Sequence, residues 1–455
     1  MKASHKLWYG IGPLGAQIAL RLVEFAPLNF YEANPLVLIG LYAGIALALS
    51  KITIMISQFA AGALSDRLKG TRYGRRKPFV ITGIPFLALS MILLFSPTYF
   101  LPTSAMVPDA NAGSYQIPLF LYMTIAVCMV NFWYGWISTP YQSWMPELTE
   151  PEERVRLSTI LNTTNMIGTA IGILIAFTFP SLIKAGSWGL ILEIMFIASM
   201  VQIVFYIPSI LKLLESHEKQ IKTPSIRREF RVITANKNYL AWIVCQGLLS
   251  VAFISIQSMV LGFVQYVLNF STTIDYIIFG AVFIVVVILS FLIWMLVIRK
   301  VGRKSSFTFA MLFLTAVLPF SLLIGWPGVP IPLFWQGFIY VALVAFNMSG
   351  YMIFPYVIMS DIAHEDEIKT GEARAGIYMG FNSIPLNLFQ ALGFFISGIL
   401  TWNVAFPGNT GYRAFGPVLA IFLLMGALAL QHVKVDFNFK QLEKEHGGKR
   451  VAKET

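Results

Sequence analysis

The stretch LSDRLKGTRYGRRKPF, residues 64–79, sets one acid and six basic residues inside a chain dominated by apolar side chains. Such a run is a nucleic-acid arm, a solvated turn or a functional link, and its flanks decide which. Of the 455 residues, 57% are hydrophobic and only 12% are charged, more apolar surface than a soluble domain hides. Apolar runs of about 20 residues, each long enough to cross roughly 30 Å of hydrocarbon as a helix, recur along almost the whole length. They do not alternate apolar and polar as the strands of an outer-membrane barrel do. The class is therefore an all-α membrane protein.

The runs predict about twelve spans, near 7–31, 36–63, 78–98, 116–145, 157–181, 187–211, 238–266, 273–298, 306–326, 332–360, 375–402 and 412–431. The 33 basic residues outnumber the 22 acidic ones, but they sit in short links between spans. That placement reads as membrane orientation and argues against a nucleic-acid partner. One link holds Arg67, Lys69, Arg72, Arg75, Arg76 and Lys77; residues 212–237 hold a second group, and Arg299, Lys300, Arg303 and Lys304 a third. Alternate links such as IGWPGVPIP hold almost none, so the expectation is a multi-pass cell-membrane protein with both termini cytoplasmic. MKASHKLWYG leads into a first span read as retained, with no small-residue cleavage site. The two cysteines, Cys128 and Cys245, lie far apart inside apolar runs and spell neither a disulfide framework nor a metal site.

RYGRRK, residues 72–77, returns as KVGRK, residues 300–304, each after the second span of its half, with Gly74 and Gly302 separated by 228 residues. Position and spacing together point to a duplicated six-helix unit. The expected organisation is an N-terminal half at 1–211, a basic connector at 212–237, a C-terminal half at 238–431 and a basic tail at 432–455. Two six-helix halves joined this way are the architecture of alternating-access transporters.

GALSDRLKGTRYGRRKP, residues 62–78, resembles the loop signature of the major facilitator superfamily, G-x-x-x-D-R-x-x-x-x-R-x-G-R-R-x-P. FPYVIMSDIAHEDEIKTGEARAGIYMG, residues 354–380, looks like the corresponding segment of the glycoside-pentoside-hexuronide:cation symporters, the melibiose permease group. PELTEPEERVRL at 146–157 and YGIGPLG at 9–15 resemble further segments of that group. Sucrose-type transporters share part of the first motif and are weaker relatives.

The resemblance implies the major facilitator fold, transport of a small-molecule solute with a coupling proton or cation, and no cofactor. It also locates departures. The two span-two carboxylates that hold the cation in sodium-coupled members fall on Ile54 and Gln58, and the span-four position falls near Ser138. The sugar-contacting acid of span one falls on Gln17, the span-five arginine near Leu161 and the span-eleven lysine near Asn387. Lys51 stands where the family has arginine.

Arg21 and Glu24 lie three apart on one face of span one, where an unpaired charge is costly, so they face a cavity or a partner. They are read equally as solute or proton machinery and as a structural ion pair, with Glu24 the leading proton-coupling acid; Glu193 is the other buried-looking one. Lys51 is read as facing the cavity. Gln17, Gln58, Tyr134, Asn162 and Asn387 are hydrogen-bonding candidates for solute contact, or, for any single asparagine or glutamine more simply, groups that stitch membrane helices together, and Trp133, Trp136 and Trp144 suit a sugar face. Asp66, Arg67, Arg72, Gly74, Arg75 and Arg76, with Asp361, Lys369 and Arg374, are expected to form a cytoplasmic gate. The acids around His364 are read as ion-pairing groups and not as a metal site. Glycine steps at 168–172 and 393–398 are read as close helix packing.

No nucleophile triad, metal spacing or phosphate-cradling loop is present, so the chain is not expected to be an enzyme. The reading is a secondary active transporter of a small polar solute, a sugar or glycoside. The alternatives are an amphipathic lipid or drug-like cargo, and a non-transporting membrane sensor.

Overall fold

A computed structural model describes residues 3–33, 36–67, 74–101, 113–148, 151–213, 232–270, 272–370 and 375–435. Among them, eleven helices are long and apolar enough to cross a membrane. Hydrocarbon leaves backbone N–H and C=O groups no outside partner, so an apolar run of this length closes its own hydrogen bonds as a helix.

The predicted first span is the exception, because it divides into α1 (Ala3–Ile11), α2 (Leu14–Phe25) and α3 (Pro27–Glu32). Pro13 and Pro27 stand at the two joints, where each proline withholds an N–H from the helical ladder. The remaining long helices are α4 (Gly40–Arg67), α5 (Lys77–Leu94), α6 (Gly113–Leu148), α7 (Pro151–Lys184) and α8 (Trp188–Lys212). They continue as α9 (Lys237–Tyr266), α10 (Thr273–Val301), α11 (Arg303–Val317), α12 (Leu333–Thr370), α13 (Ala375–Thr401) and α14 (Gly411–Gln431).

The chain forms two compact units that cut across its linear order. The first holds residues 1–223 with 254–280 and 391–412; the second holds 224–253, 281–390 and 413–455. In the first unit, Gly168 and Gly172 bring α7 onto α2: a Cβ on Gly168 would fall 2.6 Å from the Leu14 carbonyl oxygen. Gly398 of α13 meets Gly44 of α4 in the same manner, a Cβ on Gly398 falling 2.7 Å from the Gly44 Cα. Both glycine steps therefore serve close helix packing.

In the second unit, Trp294 of α10 donates its indole N–H to the Phe346 carbonyl of α12 at 2.9 Å. The two basic motifs share backbone geometry as well as sequence. Gly74 has φ +96° and Gly302 φ +90°, in the region that side chains disfavour, and each precedes the next helix by a residue or a few.

Candidate functional site

In the first unit, Gln17 of α2 faces Tyr134, Ser138, Tyr141 and Gln142 of α6, Leu161 and Asn165 of α7 and Tyr206 of α8 across a small cavity. The α6 residues recur at helical spacing and so share one face. Gln17 donates its amide to the Tyr134 hydroxyl at 3.1 Å. The buried Asn165 Oδ1 has no hydrogen-bond partner, an uncommon state for a buried acceptor. Tyr141 is committed elsewhere, donating to the Tyr9 carbonyl at 2.6 Å while its ring stacks on Tyr9 at 4.7 Å.

Arg21, one turn along α2 from Gln17, belongs to a buried charge cluster. Its Nη1 lies 2.5 Å from Glu24 Oε2, and Lys51 Nζ of α4 lies 2.9 Å from Glu24 Oε1. Arg21 Nε also donates to Thr169 Oγ1 of α7 at 3.3 Å, and Lys51 sits 5.7 Å from the ring centroid of Phe394 of α13. One carboxylate thus holds two cations from two helices, and the cluster carries a net positive charge. Lys51 is only 3% exposed, so it does not reach for water along its stem as a snorkelling lysine does.

The structure therefore gathers Gln17 and Tyr134 at one cavity and Arg21, Glu24 and Lys51 in one cluster. Gln58 lines neither; its buried Oε1 has no partner, and its neighbour one turn back, Ile54, is a buried hydrocarbon at 4% exposure. A hard cation needs several convergent oxygens, and this pair does not make the family's sodium site. Asn162 is exposed and outside the cavity lining. Asn387, in the second unit, donates within its own helix to the Ser383 carbonyl at 2.8 Å. Trp133 stacks on Phe86 of α5 at 4.6 Å and Trp136 packs against Phe79 at 5.1 Å, so neither lines the cavity. Glu193 is exposed, contrary to its buried look in sequence, because it lies on the outward face of α8.

Of the expected gate, Arg72 and Arg374 and the side chains of Asp66 and Arg67 lie outside the described residues. Arg76 is buried and Arg75 half-buried. Asp361 pairs with Arg303, the arginine of the second copy of the basic motif. Lys369 pairs with Glu365 one turn earlier at 2.5 Å, and His364 Nδ1 lies 3.5 Å from Glu367.

One acid escaped the sequence reading. Glu32 ends α3 and looks in sequence like the start of a solvated link, EANP. Its Oε1 is shielded from solvent without a hydrogen-bond partner, and its Oε2 accepts from the Tyr412 hydroxyl of α14 at 2.6 Å.

The profile of a family described as MFS/sugar transport protein matches residues 8–429. A Synechocystis protein described as an uncharacterised symporter is 29% identical over 231 residues, 49% of this chain and only 39% of that protein. The isoprimeverose transporter of Lactiplantibacillus pentosus is 22% identical over 428 residues, 90% of this chain and 82% of that protein. Among solved structures, an inward-facing bacterial homologue of the iron transporter ferroportin gives a TM-score of 0.66 at 13% identity, covering 94% of this chain and 100% of that one. That likeness shows a shared fold.

Proposed function

This chain belongs to the MFS/sugar transport protein family and is a multi-pass secondary transporter, and we propose that its cargo is a small, uncharged glycoside or sugar moved by alternating access. The observation that carries this reading is the cavity at Gln17. It is lined by neutral hydrogen-bonding groups, Gln17, Tyr134, Gln142 and Asn165 among them, and Gln17 stands where the melibiose-group resemblance places its sugar-contacting acid.

A sugar hydroxyl is at once donor and acceptor, and the cavity supplies both. The amides of Gln17 and Gln142 and the tyrosine hydroxyls of the lining are donors by their chemistry, while Asn165 Oδ1 waits as an acceptor. The charges one turn away stay out of this exchange, because both Glu24 oxygens are taken by Arg21 and Lys51. The isoprimeverose transporter among the relatives supports a glycoside as the first probe.

The test is counterflow of labelled isoprimeverose, then of a panel of other glycosides, in proteoliposomes preloaded with the unlabelled compound. Asn165→Ala is expected to raise the half-saturation concentration about tenfold, the loss of one hydrogen bond in a shielded site. Exchange blocked by a lysolipid, with every glycoside ineffective, supports the amphipathic-cargo reading instead. A solute that binds without crossing the membrane supports a sensor.

A further inference from the structure

Glu32 stands in a site built almost wholly of uncharged groups. Tyr412 of α14 donates to its Oε2 at 2.6 Å, and the Tyr412 ring lies 5.3 Å from Tyr266 of α9. Gly40, at the start of α4, has no side chain, and the space a Cβ would take there is approached by Glu32 Oε1, at 2.6 Å, and by Thr401 Oγ1 of α13. One turn back on α3, Asn29 is 1% exposed and donates to Gln265 Oε1 of α9 at 2.9 Å. The titratable groups facing Glu32 are therefore two tyrosines, and among the described residues no lysine, arginine or histidine pairs with it. Arg413, the residue after Tyr412, places its guanidinium beside Gly325.

An ionised carboxylate in such a place is far costlier than a carboxylic acid. The groups about it suit the acid form. Tyr412 donates to Oε2, and Oε1 lies beside Thr401 Oγ1, a hydroxyl oxygen able to accept from a protonated carboxyl.

We propose that Glu32 is a proton-binding site of this transporter, a neutral carboxylic acid when it and Gly40 are packed against Thr401 and Tyr412 and an anion when that packing opens to water. This rests on the alternating-access reading for its role, since opening and closing of that packing is what takes up and releases the proton. The proton site moves from Glu24, held by two cations, to a carboxylate with none. In a chain whose family cation positions are Ile54 and Gln58, the site supplies a titrating acid elsewhere.

The experiment follows the infrared C=O stretching band of a protonated carboxyl in the full chain in lipid nanodiscs while pH is raised through the neutral range. No cargo is needed, so failure of isoprimeverose exchange leaves the measurement intact. The expected result is a band that fades with rising pH, is absent in Glu32→Gln and persists in Glu24→Gln. Tyr412→Phe removes the donor that favours the anion and is expected to move the midpoint upward by about one pH unit, a tenfold gain in proton affinity. This second variant decides the matter if Glu32→Gln does not fold. A band unchanged in Glu32→Gln, a midpoint unmoved by Tyr412→Phe, or a wild-type band abolished by sodium chloride at constant pH overturns the proposal.

Discussion

Glu24 and Glu32 stand eight residues apart on the same interrupted first span, and their surroundings are opposite. Both oxygens of Glu24 are held by cations, Arg21 on its own helix and Lys51 on α4. Glu32 has a phenol, a threonine hydroxyl and a glycine backbone about it. Burial alone does not tell what an acid does; the charge balance around it does. An acid neutralised by fixed cations gains little from a proton, whereas one without a cation needs some positive charge to come to it.

The comparison breaks most visibly if Lys51 is removed. Lys51→Ala is expected to cost about 3–5 kcal/mol, because it leaves α4 without its ion pair and one Glu24 oxygen bare. Thermal unfolding in detergent reads the loss, and Lys51→Arg is expected to recover most of it. A Lys51→Ala protein as stable as wild type would mean that the cluster is wet and that the contrast with Glu32 is false.

Next in size is the glycine contact that holds α4 on α13. Gly398→Ala places a Cβ against the Gly44 backbone and is expected to destabilise by about 1–3 kcal/mol. Because this contact lies on the two helices that also bring Gly40 and Thr401 to Glu32, the same variant is expected to lower the pH at which the carboxyl band fades. A band that fades at the wild-type pH would separate the glycine contact from the Glu32 site.

A smaller effect is expected at the repeated motif. Gly302→Ala forces a side chain into φ near +90°, a strain of roughly 1–2 kcal/mol, and Gly74→Ala is expected to match it. Unequal losses, measured by thermal unfolding, would mean that the two copies no longer carry the same load.

The smallest expected change is Glu32→Gln, which keeps size and hydrogen-bonding capacity while removing the titration. Its sign depends on pH. If folded Glu32 is neutral near pH 7, the native state binds more protons there than the unfolded chain, whose glutamate titrates near about 4.3, so wild-type stability falls as pH rises. The Glu32→Gln protein should lose that slope, while Glu24→Gln keeps it. Equal slopes in all three proteins would count against the contrast.

Much of this architecture was legible in the sequence. The long apolar runs placed eleven helices, most of them within a few residues of their observed bounds, because hydrocarbon thickness sets helix length; α12 runs on to Thr370 and α11 stops at Val317, each about ten residues from the expected end. The two copies of the basic motif, visible in sequence, share a positive φ at Gly74 and Gly302. The glycine steps on α7 and α13 were visible as packing surfaces, though not the partners they meet. Glu193 looked buried because its neighbours are apolar, but helix rotation turned it outward.

The carboxylates show where such reading stops. Composition, span lengths and loop charges determined the class, and motif resemblance the family, since each depends on local chemistry along the chain. Which charge meets which carboxylate was decided by tertiary packing: Lys51 reaches Glu24 across 27 residues of sequence, and Tyr412 reaches Glu32 across 380. Apolar periodicity tells a helix which face to bury, while the partner on that face depends on how neighbouring helices slide and rotate, and that is set by close contacts such as Gly44 on Gly398.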